Sequence, residues 1–161
     1  KTSFHSYMQL LTFNLEEEDD YSLIGIHSTE EDYRLAYLLN KHLKTKLTRF
    51  KHNLDFENSD AEFPLFEFKD NNSYINYYLI NNKYKTFVQN QNNTGLFGGN
   101  YSTISYLIPE KKKIDYFLKI EGSYCENFMR NLIEKLNTIN QIITSYSIEP
   151  TTLKSKDHLI F

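Results

Sequence analysis

The residue types that do chemistry are few in this chain, and their spacing builds no familiar catalytic arrangement. Five histidines are present, His5, His27, His42, His52 and His158, and none pairs with another at metal-ligand spacing on a predicted helix. The single cysteine, Cys125, excludes a disulfide within the chain and a cysteine-based zinc site. Gly95, Gly98 and Gly99 are not followed by the Gly-Lys-Ser/Thr that a phosphate loop needs, and neither GxGxxG, GxSxG nor HExxH occurs. These absences predict no catalytic residue, no metal site and no cofactor. Three single residues stay as weak candidates. His27 stands at the end of a predicted strand, a common place for sites, but it lacks a paired base or orienter, so a hydrogen-bonded structural role is expected. Tyr33 and Arg34 are expected to reach the surface together on a helix, and both are types enriched in interface hot spots. Cys125 is placed in the first turn of a helix, where the dipole lowers a thiol pKa, but Glu126 beside it works against reactivity.

The elements that must position these groups follow from hydrophobic period and turn chemistry. Residues 8–15 and 21–26 read as two strands of a hairpin, joined by the acidic turn 16–20. Leu23-Ile24-Gly25-Ile26 is apolar on both faces, which marks a central strand. A helix then runs from Ser28 to about Lys44, with Ser28 and Glu31 at capping-box spacing and Leu35, Ala36, Leu39 and Leu43 as its core stripe. Strands are expected at 46–51, 62–69, 74–80 and 84–88, with turns at 70–73 and at Asn81-Asn82. Pro64 lacks a ladder donor and predicts an edge or a bulge. A polar loop covers 89–100, with Leu96-Phe97 as an apolar anchor. Strands 101–108 and 114–121 form a hairpin about Pro109 to Lys113, with Ile114, Tyr116, Leu118 and Ile120 on one face. A second helix spans 124–140 with Phe128, Leu132, Leu136 and Ile139 inward, and a last strand spans 142–148. The tail, 151–161, ends on Leu159-Ile160-Phe161 and is expected to dock. The fold class is α+β: an antiparallel sheet with two main helices packed on one face.

The 161 residues suit one domain, 1–161, which buries roughly 70% of its unfolded surface. Aromatic content of 16% and a net charge of −3 are globular and not disordered. That charge makes nucleic acid an unfavoured partner, since binding a duplex normally needs a basic excess. No segment reaches the about 18 apolar residues of a membrane helix, and Lys1-Thr2-Ser3-Phe4-His5 lacks a signal-peptide layout. The expected location is the cytoplasm, with no membrane partner.

One stretch carries a specific pattern, Leu107-Ile108-Pro109-Glu110-Lys111-Lys112-Lys113-Ile114-Asp115-Tyr116. It resembles the signature of the bacterial IPExxxVDY family, with Ile114 in place of the usual Val. The resemblance extends to 23–26, to Asp32-Tyr33-Arg34-Leu35-Ala36 with Leu39-Asn40, to Gly95-Leu96-Phe97, and to Leu153-Lys154-Ser155-Lys156 with Leu159-Ile160-Phe161. It implies no catalytic residue, because the family takes its name from the motif and has no established activity. Read as residues, Ile108, Pro109, Glu110, Asp115 and Tyr116 make either a specified turn or an interface, with Glu110 and Asp115 set to pair with the three lysines between them.

Three functions are compatible with this reading. The first is a non-catalytic interaction or adaptor module with a protein partner or a second copy of itself. The second is a small-molecule binder or enzyme with a dispersed site at His27, Glu110, Asp115 and Tyr116. The third is an RNA-associated factor that stacks bases on Tyr74, Tyr77, Tyr78 and Tyr84.

Overall fold

A computed structural model describes residues 20–56, 59–88 and 101–161. Strands β1 (Tyr21–His27), β2 (Thr48–Arg49), β3 (Leu65–Asp70), β4 (Ile75–Asn81), β7 (Tyr116–Glu121) and β8 (Thr144–Ile148) form a six-stranded sheet in the order β2-β3-β4-β7-β1-β8. Every neighbouring pair in it is antiparallel. Strands β5 (Lys83–Val88) and β6 (Tyr101–Tyr106) make a separate antiparallel ribbon. The two helices are α1 (Asp32–Leu43) and α2 (Phe128–Asn137).

The apolar alternation of the strands divides the core in two. Ile24 and Ile26 of β1, Leu79 of β4 and Tyr116, Leu118 and Ile120 of β7 face the helices, where Leu35, Ala36, Leu39, Leu132 and Leu136 meet them. Leu23, Tyr78, Ile80, Phe117 and Ile148 face the other way. Irregular chain covers that second face: Ala61 and Phe63, then Leu107, Ile108 and Ile114, then Leu153 and Leu159 of the tail. Both helices thus lie on one face of an antiparallel sheet, as the α+β reading expects. The tail does dock, through Leu153, Leu159 and the Phe161 ring, which packs edge-on against Tyr78, while Ile160 stays exposed.

Several local expectations are corrected. β1 has β7 on one side and β8 on the other, and the strand expected at 8–15 lies outside the described residues. The polar loop 89–100 with its Leu96-Phe97 anchor, and all but Asp20 of the acidic turn, also lie outside them. The hairpin of 101–108 with 114–121 does not form: β6 pairs with β5, whereas β7 inserts between β4 and β1. Burial explains the choice, because β7 is buried on both faces and fits only at the centre of a sheet. Ile114 accordingly joins the face opposite the helices and not the side of Tyr116. Ser28 is no helix cap. It is buried, its hydroxyl donates to Gln141 O at 2.7 Å and accepts from Glu30 N, and α1 starts only at Asp32. β2 is cut to two residues, and β3 starts after Pro64, between β2 and β4. α2 starts at Phe128, so Cys125 lies before it in an exposed turn and loses the dipole argument.

β8 ends the sheet, and its edge is protected by a side chain. Asn137 Oδ1 accepts the Ser145 N–H at 2.8 Å, and Asn137 Nδ2 donates to Ser145 O at 3.2 Å. The amide therefore occupies a rung that another chain would otherwise pair with.

At the far end of β7, Gly122 has φ +127°, and a Cβ there would lie 2.6 Å from Tyr74 O. Gly122→Ala is expected to lower stability by about 2 kcal/mol or more, read from urea unfolding. The neighbouring exposed Ser123→Ala should change it by less than about 0.5 kcal/mol.

Candidate functional site

The motif is built around a residue outside it. Asn82 joins the end of β4 to the start of β5 and is completely buried. Its Nδ2 donates to Lys111 O and to Ile114 O, both at 2.9 Å. Its Oδ1 accepts the Ile108 N–H at 2.8 Å. Its backbone N–H donates to Asp115 O at 3.0 Å, and its C=O accepts the Leu107 N–H at 2.9 Å. One planar amide thus matches, with its two donors and one acceptor, the two carbonyls and the N–H that the 107–115 turn presents inward. Asn82 was expected in a turn. It is instead the post around which the motif winds.

Each motif residue is then placed by this winding. Ile108 is fully buried on the face opposite the helices. Pro109 opens a short 3-10 turn, Pro109–Lys111, where its fixed φ suits the first position. Glu110 accepts the Ser155 N–H at 2.7 Å and the Ser155 hydroxyl at 3.0 Å, so it clamps the tail. Burial pushes the Glu110 carboxyl up, but these hydrogen bonds outweigh it and hold its pKa below the ordinary value. Asp115 takes Lys83 Nζ at 2.5 Å on one oxygen and the Ser28 N–H at 3.0 Å on the other. Tyr116 is buried and donates its hydroxyl to Glu30 O at 2.5 Å, tying β7 to the start of α1. The two acids therefore pair with Ser155, Lys83 and Ser28, not with the three lysines between them.

Of the dispersed groups, Asp115 lies beside His27, bonded to Ile26 O and to the Ser28 N–H on either side of it, but the four side chains hold separate partners. His27 Nε2 lies 3.0 Å from the Tyr146 hydroxyl, Glu110 faces the tail, Asp115 faces Lys83 and Ser28, and Tyr116 faces α1. The tyrosine platform does not assemble. Tyr78 is buried, Tyr77 stacks on Phe68, Tyr84 packs against Phe63, and Tyr74 is exposed in the β3–β4 turn with positive φ.

Among the described residues, two open surfaces lie elsewhere. Tyr33 and Tyr37, 63% and 66% exposed, flank a groove of about 420 Å³ completed by Arg34, Leu38 and Gln141. Tyr33 and Arg34 do reach the surface together, with Arg34 3.3 Å from Glu30. The second surface is the outer face of the β5–β6 ribbon.

Lys119 was also missed. It lies at the centre of β7 with 3% exposure, and its Nζ is 2.7 Å from Glu121 Oε1. The rings of Phe161, Tyr21 and Tyr78 surround it at 4.4, 4.8 and 5.5 Å. A cation so buried persists because a carboxylate and ring faces replace its water. No local sequence signal marks it, because Tyr78 stands opposite it on β4, Tyr21 lies two residues from its partner Leu23 on β1, and Phe161 comes from the tail.

Compared with protein-family models, curated proteins and solved structures, the chain matches none. Among the described residues no helix is long and apolar enough to cross a membrane, and no three metal-ligating groups gather.

Removing the Asn82 side chain strands the Ile108 N–H and the Lys111 and Ile114 carbonyls in the interior. Asn82→Ala is expected to cost at least about 3 kcal/mol in urea unfolding, and Tyr116→Phe, which removes a single bond, about 1 kcal/mol. Equal costs would refute this ranking.

Burial and the nearby Glu121 and Glu67 push the Tyr78 hydroxyl up to about 12 from 10.0. Burial and the charges of Asp32, Glu31, Asp115 and Glu30 push Tyr116 up as well. Both hold their protons more tightly folded than unfolded, so their stabilisation is complete below pH 10 and is lost as pH rises, for Tyr78 through about 12. The thermal midpoint should fall steeply over that window, and less steeply in Tyr78→Phe.

Proposed function

We propose that this chain is a non-catalytic interaction module of the bacterial cytoplasm, of the IPExxxVDY type, which joins a second copy of itself through the outer face of α1. The observation that carries the reading is the pair of exposed tyrosines, Tyr33 and Tyr37, one helical turn apart beside the Arg34–Leu38 groove. Ring area of this kind left open to water, with an arginine among it, is typical of contact surfaces.

Charge supports a second copy as the occupant. Glu30, Glu31 and Asp32 lie at the start of α1, and Lys41, His42 and Lys44 at its end. A two-fold axis across the helix sets the acidic end of each copy beside the basic end of the other and Tyr33 beside the opposite Tyr37. The motif supports the reading from the other side. Its acids and its tyrosine are spent on Ser155, Lys83, Ser28 and Glu30, which leaves the interface role to a different surface.

Sedimentation velocity at micromolar concentration is the test. The native chain should sediment as a dimer, and Tyr33→Ala/Tyr37→Ala as a folded monomer with an unchanged urea midpoint. A native chain that remains monomeric throughout the range contradicts the proposal.

A further inference from the structure

The β5–β6 ribbon has two unlike faces. Tyr84 turns one of them inward, 6.2 Å from the Phe63 ring. The cross-strand pairs Lys83–Tyr106, Lys85–Ile104 and Phe87–Ser102 carry the other, outer face. Phe87 is 71% exposed and Ile104 50%. Cations sit over its rings: Lys85 Nζ is 5.0 Å from the Phe87 centroid, and Lys112 Nζ is 5.6 Å from that of Tyr106. Lys83 is held by Asp115 at the base of the ribbon. No carboxylate belongs to these three pairs, in a chain whose net charge is −3.

A two-stranded ribbon is marginal in water by itself, and an open phenylalanine adds to its cost. The composition of the face states what would cover it. Its cations call for an anion, and its rings, each already faced by a lysine, call for flat partners that stack.

We propose that this outer face, Lys85, Phe87, Ile104 and Tyr106 with Lys112, binds a single strand of nucleic acid. Phosphates meet Lys85 and Lys112, and unpaired bases stack on Phe87 and Tyr106. Residues two apart on a strand are about 6.7 Å apart, so cation and ring succeed each other at a step that an extended nucleotide spans. An acidic peptide would satisfy the lysines but would bring no ring-sized planar face to Phe87. The site is independent of the α1 surface and holds for a monomer or a dimer.

Fluorescence anisotropy on the full chain tests it, with labelled short oligouridylate RNA and oligothymidylate DNA as probes and polyglutamate as competitor. Binding to at least one strand is expected, and the two probes distinguish RNA from DNA as its source. The log–log salt slope should be about −1.4 from the two lysines, and Lys112→Ala should reduce its magnitude by about 0.7. Phe87→Ala should weaken binding about tenfold or more with the slope unchanged, and Phe87→Tyr should retain it. Urea midpoints equal to the native value establish that the variants are folded. Absence of binding to both strands, displacement by polyglutamate at equal charge, or an affinity indifferent to Phe87→Ala would overturn the proposal.

Discussion

Asn82 sits where the chain leaves the main sheet for the ribbon, and where the chain coming back from the ribbon must be turned into the centre of that sheet. Its backbone holds Leu107 on the returning side and Asp115 at the entry to β7, and its side chain fills the turn between them. The turn presents two carbonyls and an N–H toward the core, and groups of that kind cannot be left dry without partners. An amide is the side chain that offers two donors and an acceptor in one plane. Once the turn is set, β7 enters between β4 and β1 with Tyr116 toward the helices and Phe117 toward the tail. The separation of the core into two layers depends on that entry.

The clamps that radiate from this turn bind distant parts of the chain to it. Glu110 holds Ser155, and His158 Nδ1 lies 2.7 Å from Leu107 O, so the tail is held at two points of the same turn. Asp115 holds Ser28 ahead of α1, and Tyr116 holds Glu30. Its polar groups are therefore used in holding this one loop to the tail, the ribbon and the first helix. The surfaces proposed to meet other molecules lie elsewhere, on α1 and on the ribbon.

Element type was legible where hydrophobic period is strong. The α1 stripe of Leu35, Ala36 and Leu39 and the two-faced apolar run of β1 gave their own positions. Pairing was less legible, because adjacency suggested a hairpin of 101–108 with 114–121. The contrary signal was present in Tyr116-Phe117-Leu118, three consecutive apolar residues that call for burial on both faces, whereas Tyr101 to Ile104 has its side chains in water. Asn82 and Lys119 were illegible for one reason. Asn after Asn reads as a turn and Lys in a strand reads as a surface residue, and only the three-dimensional set of partners reverses each reading. The motif was legible as a special turn, but its partners, Ser155 and Lys83, lie 45 and 32 residues away and no local rule reaches them.

Native-state hydrogen exchange tests most directly whether Asn82 holds the molecule together or only decorates a loop. The Ile108 amide, bonded to the Asn82 side chain, and the Asn82 amide, bonded to Asp115, are the probes, with Leu118 in the middle of β7 as reference. If the account is right, all three open with the same free energy, that of global unfolding, because the turn cannot release without β7. Exchange of Ile108 and Asn82 through a local opening of much lower free energy, with Leu118 still protected, would contradict it.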